Sequence, residues 1–190
     1  MQRKFFILLI LICLPAFVFS HGSHGTGVMA GFTHPIFGLD HNAAIVGVGI
    51  LSYLIDAKRW YLFVIAFLVA MIVGGYLGIG NDATILVEKV IASSVLITGL
   101  AIAFRIRINV ALVAFLLGGF GYFHGYAHGA EMPVETTALK YISGFSIGTL
   151  LLSCIGMLIG KIFKNIDSKG LVVRFIGGVL VGFGAMFLLL

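Results

Sequence analysis

Charged residues are scarce in this 190-residue chain. Only 10% of its residues are charged and 61% are hydrophobic, and the mean hydropathy is +1.16. Soluble domains usually carry about 25% charged residues, so the composition excludes an ordinary soluble enzyme and predicts an integral membrane protein. The net charge of +5 comes from basic residues spread thinly along the chain, which argues against a nucleic-acid partner.

Cysteine is scarce too, since the chain has only Cys13 and Cys154 and both fall inside apolar runs. They offer no disulfide framework and no paired thiolate metal site. A phosphate-binding loop with its glycines, lysine and Ser/Thr is missing as well. We therefore expect no ATPase activity in this chain and no organic cofactor.

The first twenty residues have the pattern of a secretory signal. A basic start, 1–4, precedes an apolar run at 5–17, and a small residue, Ser20, follows. This order of regions predicts a cleavable signal peptide at 1–20 and a mature domain at 21–190 that begins at His21. The alternative is an uncleaved anchor, but the run is short for a span of about 20 residues.

Six further apolar segments are long enough to cross a membrane as helices. The fold class predicted is therefore an all-α membrane protein, a six-transmembrane-helix bundle in the inner or plasma membrane of a bacterium. Proline suits the first turn of a helix, so we expect the first span to begin at Pro35. The predicted spans are 35–55, 60–77, 84–104, 110–128, 138–163 and 171–190.

Basic residues mark alternate loops, which predicts the orientation of the bundle. Lys58 and Arg59 follow the first span, Arg105 and Arg107 follow the third, and four basic residues surround the loop at 164–170. Cytoplasmic loops carry this excess of Lys and Arg. We therefore expect both mature termini to be extracytoplasmic, in agreement with a cleaved signal.

Histidines cluster at the ends of two predicted spans. His34, Asp40 and His41 begin the first span, and His124 and His128 end the fourth. Polar groups are costly at membrane depth and usually mark an ion or substrate path, and imidazole and carboxylate bind divalent transition metals. Residues seven or four apart share a helix face, and both clusters are expected at the extracytoplasmic level. We therefore predict these five residues as metal ligands; the alternative is buried imidazoles bonded to backbone carbonyls.

Five other residues are predicted to capture the metal or to support its ligands. Glu131 and Asn42 stand close to the two clusters, and Glu88 lies early in the third span, although a solvated loop or an interfacial position also explains the carboxylates. The histidines ahead of the first span suit capture at the entrance. The full set is His21, His24, Asn42, Glu88 and Glu131.

At these residues the chain resembles the HupE/UreJ family of membrane proteins. The resemblance rests on His34-Pro35 leading into Gly38-Leu39-Asp40-His41, and on the segment His124-Gly125-Tyr126-Ala127-His128-Gly129-Ala130-Glu131. It implies a nickel permease, in some cases a cobalt permease, that serves hydrogenase or urease maturation proteins. From the residues alone, Co²⁺, Cu²⁺ and Zn²⁺ fit an imidazole and carboxylate site equally well.

The predicted function is a secondary transporter of a divalent transition metal, most simply Ni²⁺ as transported substrate. Its partners would be the metal ion, the lipid bilayer and those maturation proteins. Three other functions fit the same residues. An intramembrane hydrolase would use three ligands and an open position for water, a haem protein would use two axial histidines, and a sensor would bind metal without moving it.

Overall fold

The structure, a computed structural model, describes residues 26–106, 109–167 and 169–190. The predicted signal peptide, His21 and His24 lie outside the described residues. The described chain is all-helical. Its helices are α1 (Val28–Phe37), α2 (Leu39–Ile55), α3 (Trp60–Gly78), α4 (Ile85–Phe104), α5 (Val110–Ala130), α6 (Ala138–Ile166) and α7 (Leu171–Leu189).

Five of these helices, α3 to α7, are long and apolar enough to cross a membrane, and α1 with α2 makes a sixth span if the bent pair is counted as one. The predicted bounds of the last five spans agree with the helices to within three residues. Apolar side chains such as Phe115 and Leu139 are 77% and 81% exposed. Helices that are apolar all round belong in a core or in lipid, so these exposed faces suit contact with the bilayer.

The predicted start of the first span was wrong. Pro35 lies inside α1, which has already begun at Val28, and the chain breaks three residues later at Gly38. The axes of α1 and α2 differ in direction by 81°. Proline removes one backbone donor, and its ring crowds the carbonyl four residues before it, here that of Gly31, so it favours a helix end close by. His34 and His41 therefore lie on different helices and not on one helical face.

Glycines bring the backbones of neighbouring helices into contact. A Cβ atom added to Gly125 or Gly129 would overlap the carbonyl oxygens of Met71 or Gly75, and Gly31 meets the backbone of α6 in the same way. Small residues allow such close approach in membranes. The glycines at 121, 125 and 129 thus form the α3–α5 contact.

The glycines of α7 differ in what they face. Gly178 and Gly182 face open space, whereas Gly177 and Gly184 pack against the backbone of α4. The sequence offers two glycine series on α7, and four-residue spacing alone does not tell which one faces a neighbour.

The order of contacts along these interfaces fixes the direction of each helix. Gly121, Gly125 and Gly129 meet α3 at successive turns in the same order, so α5 runs parallel to α3. Gly49 lies beside Ser153 and Gly160 beside Ile50 and Tyr53, so α2 runs parallel to α6. The start of α2, the end of α5 and the start of α6 therefore meet at one end of the bundle, which we call the histidine end.

Candidate metal site

Three imidazoles from three helices meet at the histidine end. His34 lies on α1, His41 on α2 and His128 on α5, and one ligand nitrogen from each lies within 4.8 Å of the others. The ring centroids are 4.5 Å apart for His41 and His128, and 4.7 Å apart for His34 and His128. His41 and His128 are buried, and His34 is partly exposed. This spacing allows one ion to be bound by all three rings.

Two of these rings are each hydrogen-bonded to a carboxylate through one nitrogen. Nε2 of His34 lies 2.8 Å from Oε2 of Glu131, and Nδ1 of His41 lies 2.9 Å from Oδ1 of Asp40. An ionised carboxylate only accepts hydrogen bonds, so the bonded nitrogen of each ring carries the proton. The other nitrogen, Nδ1 of His34 or Nε2 of His41, keeps a lone pair for a metal. Outer carboxylates commonly orient metal-binding histidines in this way.

The two histidines of α5 have different surroundings. Neither ring nitrogen of His128 has a hydrogen-bond partner within the described chain, and its ring stacks on Phe145 at 5.2 Å with an angle of 15° between the planes. His124 donates from Nδ1 to the carbonyl of Phe120 at 2.8 Å, which is the backbone hydrogen bond given above as the alternative to metal binding. Its Nε2 is buried and has no partner among the described residues, and its ring lies 5.3 Å from that of His41.

The five predicted ligands therefore divide into groups. His34, His41 and His128 come together, His124 lies beside them toward the middle of the bundle, and Asp40 bonds to His41. The convergence of both clusters was predicted, and the bent α1–α2 pair achieves it in place of the shared helical face.

The residues predicted for capture or support lie in different places. Glu131 bonds to His34, while Asn42 donates from Nδ2 to the carbonyl of Ile36 at 3.0 Å and so ties α2 to α1 across the break. Glu88 lines a separate cavity of about 310 Å³ that Asp40 also reaches. Asp40 therefore stands between that cavity and the histidines.

Glu131 lies just beyond the end of α5, and the histidines of the site stabilise the ionised form of its carboxyl group. Burial acts to raise the pKa of this carboxyl, but the hydrogen bond from His34 and the positive charge that His34 and His41 can carry lower it, so that the pKa lies below its usual value. Glu131 is thus ionised at neutral pH and adds a negative charge at the edge of the site, which favours a cation.

Two residues beside the site were missed in the sequence. Tyr141 is 1% exposed, its hydroxyl has no partner among the described residues, and its ring lies 6.3 Å from that of His34. Phe145 is fully buried under His128. Both lie on α6, at positions four apart and hence on one face. That spacing was visible in the sequence, but it resembles ordinary helix packing.

The start of α1 is fixed by a backbone hydrogen bond. The N–H of Gly27 donates to the Thr136 hydroxyl at 3.0 Å, which joins α1 to the loop between α5 and α6. Gly27 has a φ of +69°, a conformation that glycine adopts readily. This contact places α1 across the histidine end, where His34 reaches the other rings.

The sequence is similar to those of known membrane proteins of one family. The sequence profile described as HupE / UreJ protein matches residues 7–187. The chain belongs to the HupE/UreJ family. A curated HupE/UreJ relative, Protein HupE of Rhizobium leguminosarum bv. viciae, is 36% identical over 179 residues, which is 93% of each chain. No solved structure matches this chain.

Membership of the HupE/UreJ family confirms two predictions. The chain is a multi-pass integral membrane protein, and it is not an enzyme, because HupE/UreJ proteins are transporters. The hydrolase alternative is therefore excluded. The choice of metal ligands and the orientation of the bundle in the membrane stay predictions.

Proposed function

We propose that this chain is a secondary transporter that carries Ni²⁺ into the cell. The ion would enter from the extracytoplasmic side and bind at His34, His41 and His128, with His124 and Asp40 beside them. The observation that supports this most is the convergence of three imidazoles within 4.8 Å in the membrane-spanning part of the chain. Intramembrane ionisable groups that face one another commonly mark an ion path.

The arrangement suits a divalent ion of the later transition series. Three neutral nitrogen donors with carboxylates behind them fit Ni²⁺, Co²⁺, Cu²⁺ or Zn²⁺ better than Mg²⁺ or Ca²⁺, which prefer oxygen donors. The association of the HupE/UreJ family with nickel supports Ni²⁺ among these. Maturation proteins of hydrogenase or urease would then receive the ion on the inner side.

The membrane potential can drive such uptake without ATP. Moving one elementary charge through 100 mV is worth about 2.3 kcal/mol, so a divalent cation gains about twice that. An inward direction follows if the basic loops face the cytoplasm, as the positive-inside rule predicts.

The test is uptake of radiolabelled Ni²⁺ by proteoliposomes with an inside-negative potential. We expect rapid uptake by the wild type and at least a tenfold lower rate for His41→Ala and for His128→Ala. Ser94→Ala is the matched control, because Ser94 is equally buried but donates to Ile91 of its own helix α4. Its uptake should stay within twofold of the wild type.

Two results would contradict the proposal. Absence of uptake by a wild type that binds Ni²⁺ would favour a sensor or a metal-binding partner protein. Normal uptake by both histidine variants would show that the ion takes a route that avoids the three imidazoles.

A further inference from the structure

One buried face of α6 leads away from the three imidazoles into the middle of the bundle. It carries Tyr141, Phe145, Thr149 and Ser153, each four residues after the last and none more than 1% exposed. Residues at this spacing share a helix face. From Phe145 to Ser153 the face extends about 12 Å, at about 1.5 Å per residue. It is therefore a line of buried side chains that begins at the candidate metal site.

The hydroxyl of Thr149 is hydrogen-bonded to a sulfur atom on α3. It donates to Sδ of Met71 at 3.4 Å, and both residues are fully buried. The backbone of Met71 packs against Gly125, whereas Gly75 packs against Gly129, the neighbour of His128. Met71 and Thr149 thus lie one helical turn deeper in the bundle than His128.

The ring of Phe145 lies one helical turn above this pair. It stacks on His128, and its Cζ lies only 2.8 Å from where a Cβ atom of Gly75 would be. The ring therefore extends from α6 to the backbone of α3 at the level of His128, above the Met71–Thr149 pair.

The hydroxyl of Ser153 continues the line one turn beyond Thr149. It is fully buried and has no hydrogen-bond partner among the described residues. A buried polar group without a partner costs free energy, so this hydroxyl is available to bind a ligand.

We propose that Met71, Thr149 and Ser153 form a second, inner metal position that receives the ion from the histidine site. The transfer requires the Phe145 ring to move aside. His124 lies one turn below His128, and its Nε2 has no hydrogen-bond partner among the described residues. This nitrogen binds the ion as it passes from the outer position to the inner one. This inference rests on the proposed transport function.

The chemistry of the inner position suits passage. A thioether and two hydroxyls are neutral, weak donors, in contrast to the imidazoles above them. An ion moves along a path only where each position binds it weakly enough to release it. Carboxylates at this depth would hold a divalent cation, and the lining described above contains none.

The test separates transport from binding in two near-isosteric variants, Thr149→Val and Met71→Leu, and in the double variant. Ni²⁺ affinity is measured by titration calorimetry in detergent, and radiolabelled Ni²⁺ uptake is measured in proteoliposomes. We expect the affinity to stay within twofold of the wild type, because the histidine site is intact. Uptake should fall several-fold in each single variant and at least tenfold in the double variant.

Matched controls remove the same groups elsewhere. Thr98→Val deletes a buried hydroxyl on α4, and Met186→Leu deletes a thioether on α7, away from the buried face of α6. Both should transport at the wild-type rate. Thr149→Ser keeps the hydroxyl, so its uptake should be well above that of Thr149→Val; an equal loss in both variants would overturn the role of the oxygen.

Each result has one meaning. Uptake by the double variant at the wild-type rate overturns the inner position. An equal loss of affinity and uptake also overturns it, because these residues would then only support the histidine site. If the wild type itself takes up no Ni²⁺, the proposed function fails, and this inference fails with it.

Discussion

Glu131 and His34 join the two ends of the candidate site, since Oε2 of Glu131 lies 2.8 Å from Nε2 of His34. The carboxylate follows the last residue of α5, and the imidazole lies on α1. This contact links α1 to the end of the helix that carries His124 and His128. It decides which nitrogen of His34 is free to bind a metal.

Removing this carboxylate should weaken metal binding. We expect Glu131→Ala to lower Ni²⁺ affinity by about 10–100-fold, the usual loss when the partner behind a metal-binding histidine is removed. Titration calorimetry of the purified protein measures this. Glu135→Ala is the control, because it removes an exposed carboxylate from the same loop. An equal loss in both variants would mean that Glu131 acts only through its charge.

Asp40 should act through His41 and not as a direct ligand. Asp40→Asn retains an oxygen that can accept the proton of Nδ1, so we expect a smaller loss of Ni²⁺ affinity than for Asp40→Ala, for which about 10–100-fold is expected. Asp82→Ala, in an exposed loop, should have no effect. If Asp40→Asn binds no Ni²⁺ at all, the carboxylate itself holds the ion.

Acid should release the metal. Imidazole nitrogens must be unprotonated to bind a metal ion, and each displaced proton lowers the apparent affinity by about tenfold per pH unit. The pKa of Glu131 lies below its usual value, so this carboxylate keeps its charge between pH 7.5 and 5.5. The loss over this range should therefore come from the histidines. A Ni²⁺ affinity that stays constant from pH 7.5 to 5.5 would contradict imidazole ligation.

The glycines of α5 should differ sharply in their tolerance of alanine. Gly125→Ala places a Cβ atom on the carbonyl of Met71, so α3 and α5 must separate. Overpacking of this kind typically lowers the free energy of unfolding by about 1–3 kcal/mol. Gly119→Ala meets open space and should be harmless. Thermal unfolding in detergent compares the two variants. Equal melting temperatures would mean that the α3–α5 contact is looser than described.

The histidine end should face the outside of the cell. In a Cys154→Ser background, Val134→Cys should react with a membrane-impermeant maleimide in intact cells, because Val134 is fully exposed in the loop after α5. Lys58→Cys, at the opposite end, should react only after permeabilisation. The reverse pattern would place the three imidazoles at the cytoplasmic end, where they would bind an ion before export or release an imported one into the cytoplasm.

Span positions were predictable because hydropathy and loop charge are local properties of the sequence. The last five spans agree with α3 to α7 for that reason. Pro35 misled the prediction of the first span, since proline is favoured at the first position of a helix but here lies near the end of α1, where it favours a break. Only packing against α6 decides between the two positions.

The candidate site was predictable in composition and only partly in arrangement. Two histidine motifs at one membrane level indicated a single metal site, and the three converging imidazoles agree with that expectation. The separate surroundings of His124 and His128 depend on Phe120 and Phe145, and such side-chain contacts leave no mark in helical periodicity. Tyr141, Thr149 and Ser153 were hidden for the same reason, because isolated hydroxyls are common in membrane helices.

Gly38 is a joint between two of the three imidazoles. His34 lies four residues before it and His41 three residues after it, which is about 6 Å and about 4.5 Å along the two helices at a rise of 1.5 Å per residue. A turn of about ten degrees at Gly38 then changes the gap between the rings by about 1 Å, by those same lengths. The gap is therefore sensitive to the angle at Gly38, and the hydrogen bond from Asn42 to the carbonyl of Ile36 helps to hold that angle.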